Sequence, residues 1–170
     1  FRTGSTESRG SIMKVICFHN PDEENGFLSN WYLSYFEVDG KTFSSVEQFM
    51  MYHKAVCFQD GTIAEQVLAT NDVAHIKELG RMVSGYNDNI WNGVRQLIVY
   101  EGLLAKFSQQ DILKRQLLET KDAILAECAV HDNVWGIGLS LKDKKRFDIS
   151  QWKGKNLLGY TLMIVRNHLE

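Results

Sequence analysis

Glu47 and Lys54 stand seven positions apart in Ser44-Ser45-Val46-Glu47-Gln48-Phe49-Met50-Met51-Tyr52-His53-Lys54. On an α-helix, at about 100° per residue, seven steps bring two side chains back within roughly 20° of one another. The rise of about 1.5 Å per residue places them about 10 Å apart along the axis. That span is too long for a direct ion pair and suits a small substrate held between a carboxylate and an amine. Phe49, Met50, Met51, Tyr52, Ala55, Val56 and Phe58 leave this helix only a narrow polar stripe. A lysine on a mostly buried helix has its pKa lowered by desolvation, and its neutral amine is a nucleophile. Plainer readings stand beside this one. Ser44 and Glu47 fit a Ser-x-x-Glu capping box, with Glu47 at N3, and Lys54 fits a solvated surface charge.

Two further segments carry polar groups among bulky ones. Phe27-Leu28-Ser29-Asn30-Trp31 can present Ser29 and Asn30 over an apolar floor, or can be a turn that Phe27 and Trp31 anchor in the core. In His131-Asp132-Asn133-Val134-Trp135-Gly136-Ile137-Gly138, Asp132 precedes an aromatic residue able to stack on a planar base. Gly136 and Gly138 permit close backbone approach, and the same segment reads equally as an Asp turn. Arg81 can hold a phosphate bidentately. Trp91 and Arg95, four apart on one helix, fit either ligand contact or a cation–π pair with each other. Cys128 with His131 is a candidate nucleophile dyad without visible oxyanion donors. His53 and Cys57 make an isolated i,i+4 pair, so no metal is expected.

The elements that must position these residues follow from pattern. Lys14–Phe18 reads as a strand. Tyr35–Val38 and Lys41–Phe43 read as a hairpin about Asp39-Gly40. Helices are expected over Val46–Phe58, Ile63–Ala69, Asp72–Leu79 with Gly80 as C-cap, Ile90–Phe107 and Gln109–Leu118. On the fourth of these, Val94, Leu97, Ile98, Leu104 and Phe107 supply the apolar face. Ile124–Cys128 is extended, and Asn156 caps a last helix with Leu158, Leu162, Val165 and Leu169 on one face. The sum is an α+β fold: one compact, mainly helical domain over 13–170 with a small antiparallel sheet. Residues 1–12, Gly/Ser/Thr/Arg-rich and aperiodic, read as an added segment ahead of a native start at Met13.

With 170 residues, 44% hydrophobic and 24% charged, the chain has the composition of a soluble globular domain. Leaving out 1–12 gives 17 basic and 20 acidic residues, a balance that disfavours nonspecific coating of nucleic acid. No apolar run approaches the roughly 20 residues that span a bilayer. Three widely spaced cysteines give no disulfide framework and fit a reducing cytoplasm.

Seven segments, in order, resemble the YbiA-like or NADAR (NAD and ADP-ribose-associated) superfamily of N-glycosidases: Phe27–Trp31, Ser45–Lys54, Leu79–Arg81, Trp91–Arg95, Lys106-Phe107, Asp132 with Trp135–Gly138, and Gly154–Gly159. The resemblance implies cleavage of the bond between a ribosyl group and a base, without a cofactor. One implied substrate is ADP-ribose on guanine of DNA or nucleosides, with functional pairing to an ADP-ribosyltransferase. The other is a phosphoribosylamino-pyrimidine intermediate of riboflavin synthesis. Glu47, Lys54, Asp132 and Trp135 fall on positions that look like the family's active site, and Asn30, Arg81 and Trp91 on its ligand contacts. Ser29, Arg95 and Gly136 complete the expected binding set. Gln48 departs from the His of many members, and Ala129-Val130-His131 from a Ser-Pro-Tyr-like run, which leaves substrate preference open. The expected chemistry divides acid and stabiliser roles between Glu47 and Asp132, with Lys54 capturing C1 as a Schiff base. A non-catalytic ADP-ribose-binding module is the alternative from another class.

Overall fold

The computed structural model describes residues 13–170. The expectation for residues 1–12 lies outside the described residues. Strand β1 (Val15–Phe18) pairs in parallel with β4 (Ile124–Glu127), Val15 opposite Ile124 and Phe18 opposite Glu127. Between them run the β2–β3 hairpin (Phe36–Val38, Lys41–Phe43) and helices α1 (Val46–Cys57), α2 (Gly61–Leu68), α3 (Val73–Arg81), α4 (Asp88–Gln109) and α5 (Asp111–Glu119). Helix α6 (Leu157–Leu169) follows β4.

The mainly helical α+β architecture agrees with the sequence reading, and so does the antiparallel hairpin. Asp39 (φ 51°) and Gly40 (φ 77°) both take the left-handed conformation of a tight hairpin turn. The parallel β1–β4 pair was not expected. Its strands are separated by more than a hundred residues, so no local turn announces it. Ile124, Leu125 and Ala126 are all buried, the unbroken apolar run of a strand covered on both faces.

Helix α1 is central, packed on α2, α3 and α4, with Val46, Phe49, Met50, Met51 and Ala55 buried. Phe49 closes an aromatic cluster with Phe36 and Phe43 at 5.9 and 4.9 Å between ring centroids. Three expectations are corrected. Gly80 is not a C-cap, because α3 runs through it to Arg81. A Cβ at Gly80 would collide with Met51 Sδ, so the glycine serves the close approach of α3 to α1. Leu97 is 72% exposed. Val94, Ile98 and Leu104 do pack half-buried against the core and Phe107 is buried, so Leu97 alone leaves the expected face, while Trp91, Val99, Leu103 and Lys106 are buried as well. Asn156 stands at the N-cap position of α6 with φ 52° and no side-chain cap bond. Its side chain donates to Leu125 O (2.8 Å) and accepts from Glu127 N (3.1 Å), clamping α6 to β4.

Candidate active site

Helix α1 begins one residue later than the capping-box reading requires. Ser45 is the N-cap, its Oγ accepting from Gln48 N at 3.1 Å. Gln48 occupies N3 and accepts from Ser44 N and Oγ at 2.7 and 3.0 Å. Its Nε2 donates to Val67 O and Thr70 O, at 3.1 and 2.9 Å, so this departure from the family pattern lies in the scaffold. Glu47 is thereby released from capping. Its N–H donates to Asn30 O (3.0 Å) and its side chain is buried. Burial pushes its pKa up to about 7; Lys77 opposes the shift, Asp132 adds to it, and Lys54 opposes it.

Lys54 is half-buried on the same helix. Burial lowers its pKa and Arg81 adds to the lowering, against the pull of Glu47 and Asp88. Its Nζ lies 4.6 Å from the Tyr86 ring centroid and 5.9 Å from that of Trp91. The acid and the amine therefore act on each other along one helix. Trp91 is a buried part of the core whose ring meets Lys54, and Arg81 is exposed at the end of α3.

Opposite them runs the Asp132–Trp135 turn. Asp132 Oδ1 accepts from Val134 N (2.9 Å) and Trp135 N (2.8 Å). Arg95 reaches from α4 to 6.0 Å from the Trp135 ring centroid. Its aromatic partner is thus on the Asp132–Trp135 turn rather than Trp91 on its own helix. A Cβ at Gly136 would lie 3.0 Å from both Asp132 O and Glu127 O, so glycine brings this turn against the end of β4.

The Ser29–Asn30 turn is held from below. Ser29 Oγ accepts from Trp31 N at 3.1 Å. Lys106, wholly buried, donates to Phe27 O (2.6 Å) and Ser29 O (3.2 Å). Burial without a counter-charge lowers the Lys106 pKa to about 7. Among the described residues, four buried polar side-chain atoms lack a hydrogen-bond partner, and three of them are Asn30 Oδ1, Arg95 Nε and Glu127 Oε2. A buried unpartnered polar atom costs about 1–3 kcal/mol. Asn30 and Arg95 belong to the expected binding set, and an unpartnered buried polar atom is a group suited to a ligand. The open groove of about 600 Å³ bordered by Leu118, Lys121, Met163 and Arg166 contains none of these residues.

Glu47 lies within electrostatic reach of Lys54 and Asp132, Lys54 within reach of Arg81, and Arg95 approaches Trp135. Sequence reasoning missed Glu127 and Lys77, and gave Lys106 no role beyond its place in a matching segment. Glu127 is raised to about 8, first by burial, then by Asp132 and Glu47, with Lys77 opposing. A carboxylate closing an apolar strand was its signal. Lys77 stands one turn before Arg81, its Nζ 5.8 Å from the Trp31 ring centroid. The Cys128–His131 dyad fails. Cys128 is buried, its thiol pushed up by a hydrogen bond with Cys17 and by burial, whereas His131 is exposed. His53 stacks 4.4 Å from the Phe49 ring centroid. Among the described residues, no group of three or more His, Cys, Asp or Glu is placed to hold a metal ion. No helix among them is long and apolar enough to cross a membrane.

Known proteins resemble this chain along most of its length. The chain is 35% identical over 161 residues to N-glycosidase R617 of Acanthamoeba polyphaga mimivirus, covering 90% of this chain and 95% of that protein. It is 33% identical over 163 residues to riboflavin biosynthesis protein VVA0006 of Vibrio vulnificus, covering 95% of this chain but only 41% of the relative. The NMR structure of Escherichia coli YbiA matches with a TM-score of 0.76 and 30% identity, over 92% of this chain and 84% of that one. YbiA itself is named an N-glycosidase. The NADAR domain family model matches residues 17–170, and the chain belongs to that family.

Proposed function

We propose that this protein is a hydrolase of N-glycosyl bonds that removes ADP-ribose from guanine in DNA or nucleosides. The general class is that of relatives aligned along almost the whole chain, among them N-glycosidases. The observation that carries the chemistry is the pairing of a buried carboxyl raised to about 7, Glu47, with a desolvated amine, Lys54, on one helix. The carboxyl exchanges its proton near neutrality, and burial beside it eases the amine toward its neutral, nucleophilic form, which a binding module does not need.

In the proposed reaction the aminoribosyl ring opens to an imine at C1. The neutral Lys54 amine adds to C1, and Glu47 takes the proton that the nitrogen sheds. Loss of the base leaves a Schiff base, which water hydrolyses to free ribose aldehyde and regenerated amine. Asp132, one oxygen committed to backbone donors, supplies negative charge beside the cationic states. Trp135, steadied by Arg95, stacks on the base above Gly136, and Trp91 forms the floor under the Lys54 amine. Arg81 holds the diphosphate, and Ser29 and Asn30 contact the sugar. Guanine on DNA would be met at the modified base alone, because the chain's net charge of −2 disfavours broad phosphate contact.

The riboflavin-pathway aminopyrimidine is the second reading. It is favoured by the Vibrio relative's name and by the same ribosylamine linkage. Incubation with ADP-ribosyl guanosine and with the phosphoribosylamino-pyrimidine separates the two by which one releases free base. Tight ADP-ribose binding with neither product would leave a binding module. Borohydride should trap a covalent adduct with substrate in wild type and none in Lys54→Ala. Wild type without an adduct, together with near-normal turnover by Lys54→Ala, would sink the Schiff-base route.

A further inference from the structure

We infer that Glu127 is a third carboxyl of this site, the acid that hands its proton to the leaving nitrogen of the base as the C1–N bond breaks. The inference rests on the N-glycosidase reading. Its backbone is pinned on both sides: Glu127 N donates to Asn156 Oδ1 (3.1 Å), and its carbonyl accepts from Ile137 N (2.8 Å). Alternation along β4 then fixes where the side chain goes. Leu125 belongs to the main core with α1, while Ala126 and Cys128 belong to a smaller cluster on the other face. Glu127 follows Leu125 onto the main-core face of β4, within electrostatic reach of Glu47. The residue keeps partial exposure, but its Oε2 is closed off from solvent with no partner. The charged groups that face it are Glu47 on α1, Lys77 on α3 and Asp132 on the turn, with the Cys128 thiol beside it on the chain. Burial and the two neighbouring carboxylates keep its proton on past neutrality, to about 8.

The three carboxyls then divide the work. Asp132 is engaged by two backbone N–H groups. Glu47 faces Lys54 and receives its proton. Glu127 is left to donate. In the adduct at C1, the Glu127 O–H proton passes to the base nitrogen, and the C1–N electron pair leaves with the base. The Lys54 nitrogen lone pair then forms the C1=N bond of the Schiff base. The resulting Glu127 carboxylate takes a proton from the attacking water, which restores the acid.

The test is a leaving-group comparison with Glu127→Gln, which keeps shape and hydrogen bonding but carries no acidic proton. ADP-ribosyl guanosine needs protonation to release its base, whereas an ADP-ribosyl conjugate of 4-nitroaniline leaves more readily without it. On the guanosine substrate, Glu127→Gln should lose about 100-fold or more in kcat with KM within about threefold, and should lose the alkaline fall of kcat. On the nitroaniline conjugate the loss should stay below about tenfold. Equal losses on both substrates, or a kcat within about threefold of wild type on guanosine, would overturn the assignment while leaving the glycosidase reading intact. Wild type that releases neither base overturns both. If the Gln variant does not fold, Glu127→Asp replaces it. That variant should keep the alkaline fall and an intermediate leaving-group sensitivity, and a wild-type-like sensitivity at reduced rate would count against the role.

Discussion

Lys54 and Lys106 are both drawn out of water and both have lowered pKa values, yet they sit in regions built for opposite purposes. Lys106 is wholly buried, and its ammonium is spent on Phe27 O and Ser29 O, with the Phe107 ring centroid 4.9 Å away. Lys54 is only half-buried, has a carboxyl for a neighbour, and rests against the Tyr86 and Trp91 rings without a hydrogen bond that commits its lone pair. Desolvation alone therefore does not make a nucleophile. Lys106 is a bracket under the Ser29–Asn30 turn, and Lys54, partly exposed and beside Glu47, is the amine to which the proposed chemistry falls.

Lys54→Ala breaks this contrast most sharply. Turnover measured by base release should fall at least about 1,000-fold, as for loss of a covalent nucleophile. The urea midpoint should move little, because a half-buried side chain without a fixed partner is removed. Lys106→Met should do the reverse. It keeps the volume but strands two carbonyls, and should cost about 1–3 kcal/mol in urea unfolding. Displacement of the turn, which also accepts from Glu47 N through Asn30 O, should lower turnover only about tenfold. A stable Lys106→Met with turnover as poor as that of Lys54→Ala would erase the distinction between the two lysines.

The regions also oppose each other in pH dependence. Glu47 and Glu127 are raised to about 7 and about 8 in the folded protein. Between the unfolded carboxyl range and those values, the folded state binds more protons than the unfolded one, so stability from these groups falls as pH rises. Lys106 is depressed to about 7. Between there and the ordinary lysine range, the unfolded state binds more protons, so stability rises with pH. Together they place a stability minimum around pH 7–8, visible in urea midpoints measured across pH. Lys106→Met should remove the alkaline rise and Glu47→Gln should flatten the acid-side fall, whereas a single maximum near neutrality in wild type would contradict both assignments.

The two regions also differ in how far they were legible from sequence. The Glu47–Lys54 spacing is local and periodic, so one helix was enough to place both on one face. The Ser29–Asn30 and Asp132–Trp135 segments were visible as polar groups among aromatics, but not their placement, which needs the Lys106 bracket and the Gly136 approach to β4. Glu127 was hidden for a related reason. Its meaning depends on the parallel β1–β4 pair, which is nonlocal and leaves no turn signal. Lys106 stood out only within the matching Lys106-Phe107 segment, and its bracket role depends on the distant Phe27 and Ser29 carbonyls, which no local pattern brings to it.

The smallest effect tests the start of α1, where sequence and structure differ by one residue. If Ser44 capped the helix with Glu47 in a box, Glu47→Gln and Ser44→Ala would each loosen the helix. In the structure, Ser45 Oγ accepts from Gln48 N, and Glu47 is free of that duty. Ser45→Ala should therefore cost about 1 kcal/mol in urea unfolding, the ordinary worth of a cap, with turnover little changed. Glu47→Gln should leave stability unchanged or raise it at pH 8, because it removes a charge from a buried position, while it lowers turnover about 100-fold or more. The start of α1 thus divides two duties between adjacent residues: Ser45 and Gln48 hold the helix end, and their register leaves the buried Glu47 carboxyl free for the chemistry proposed for it.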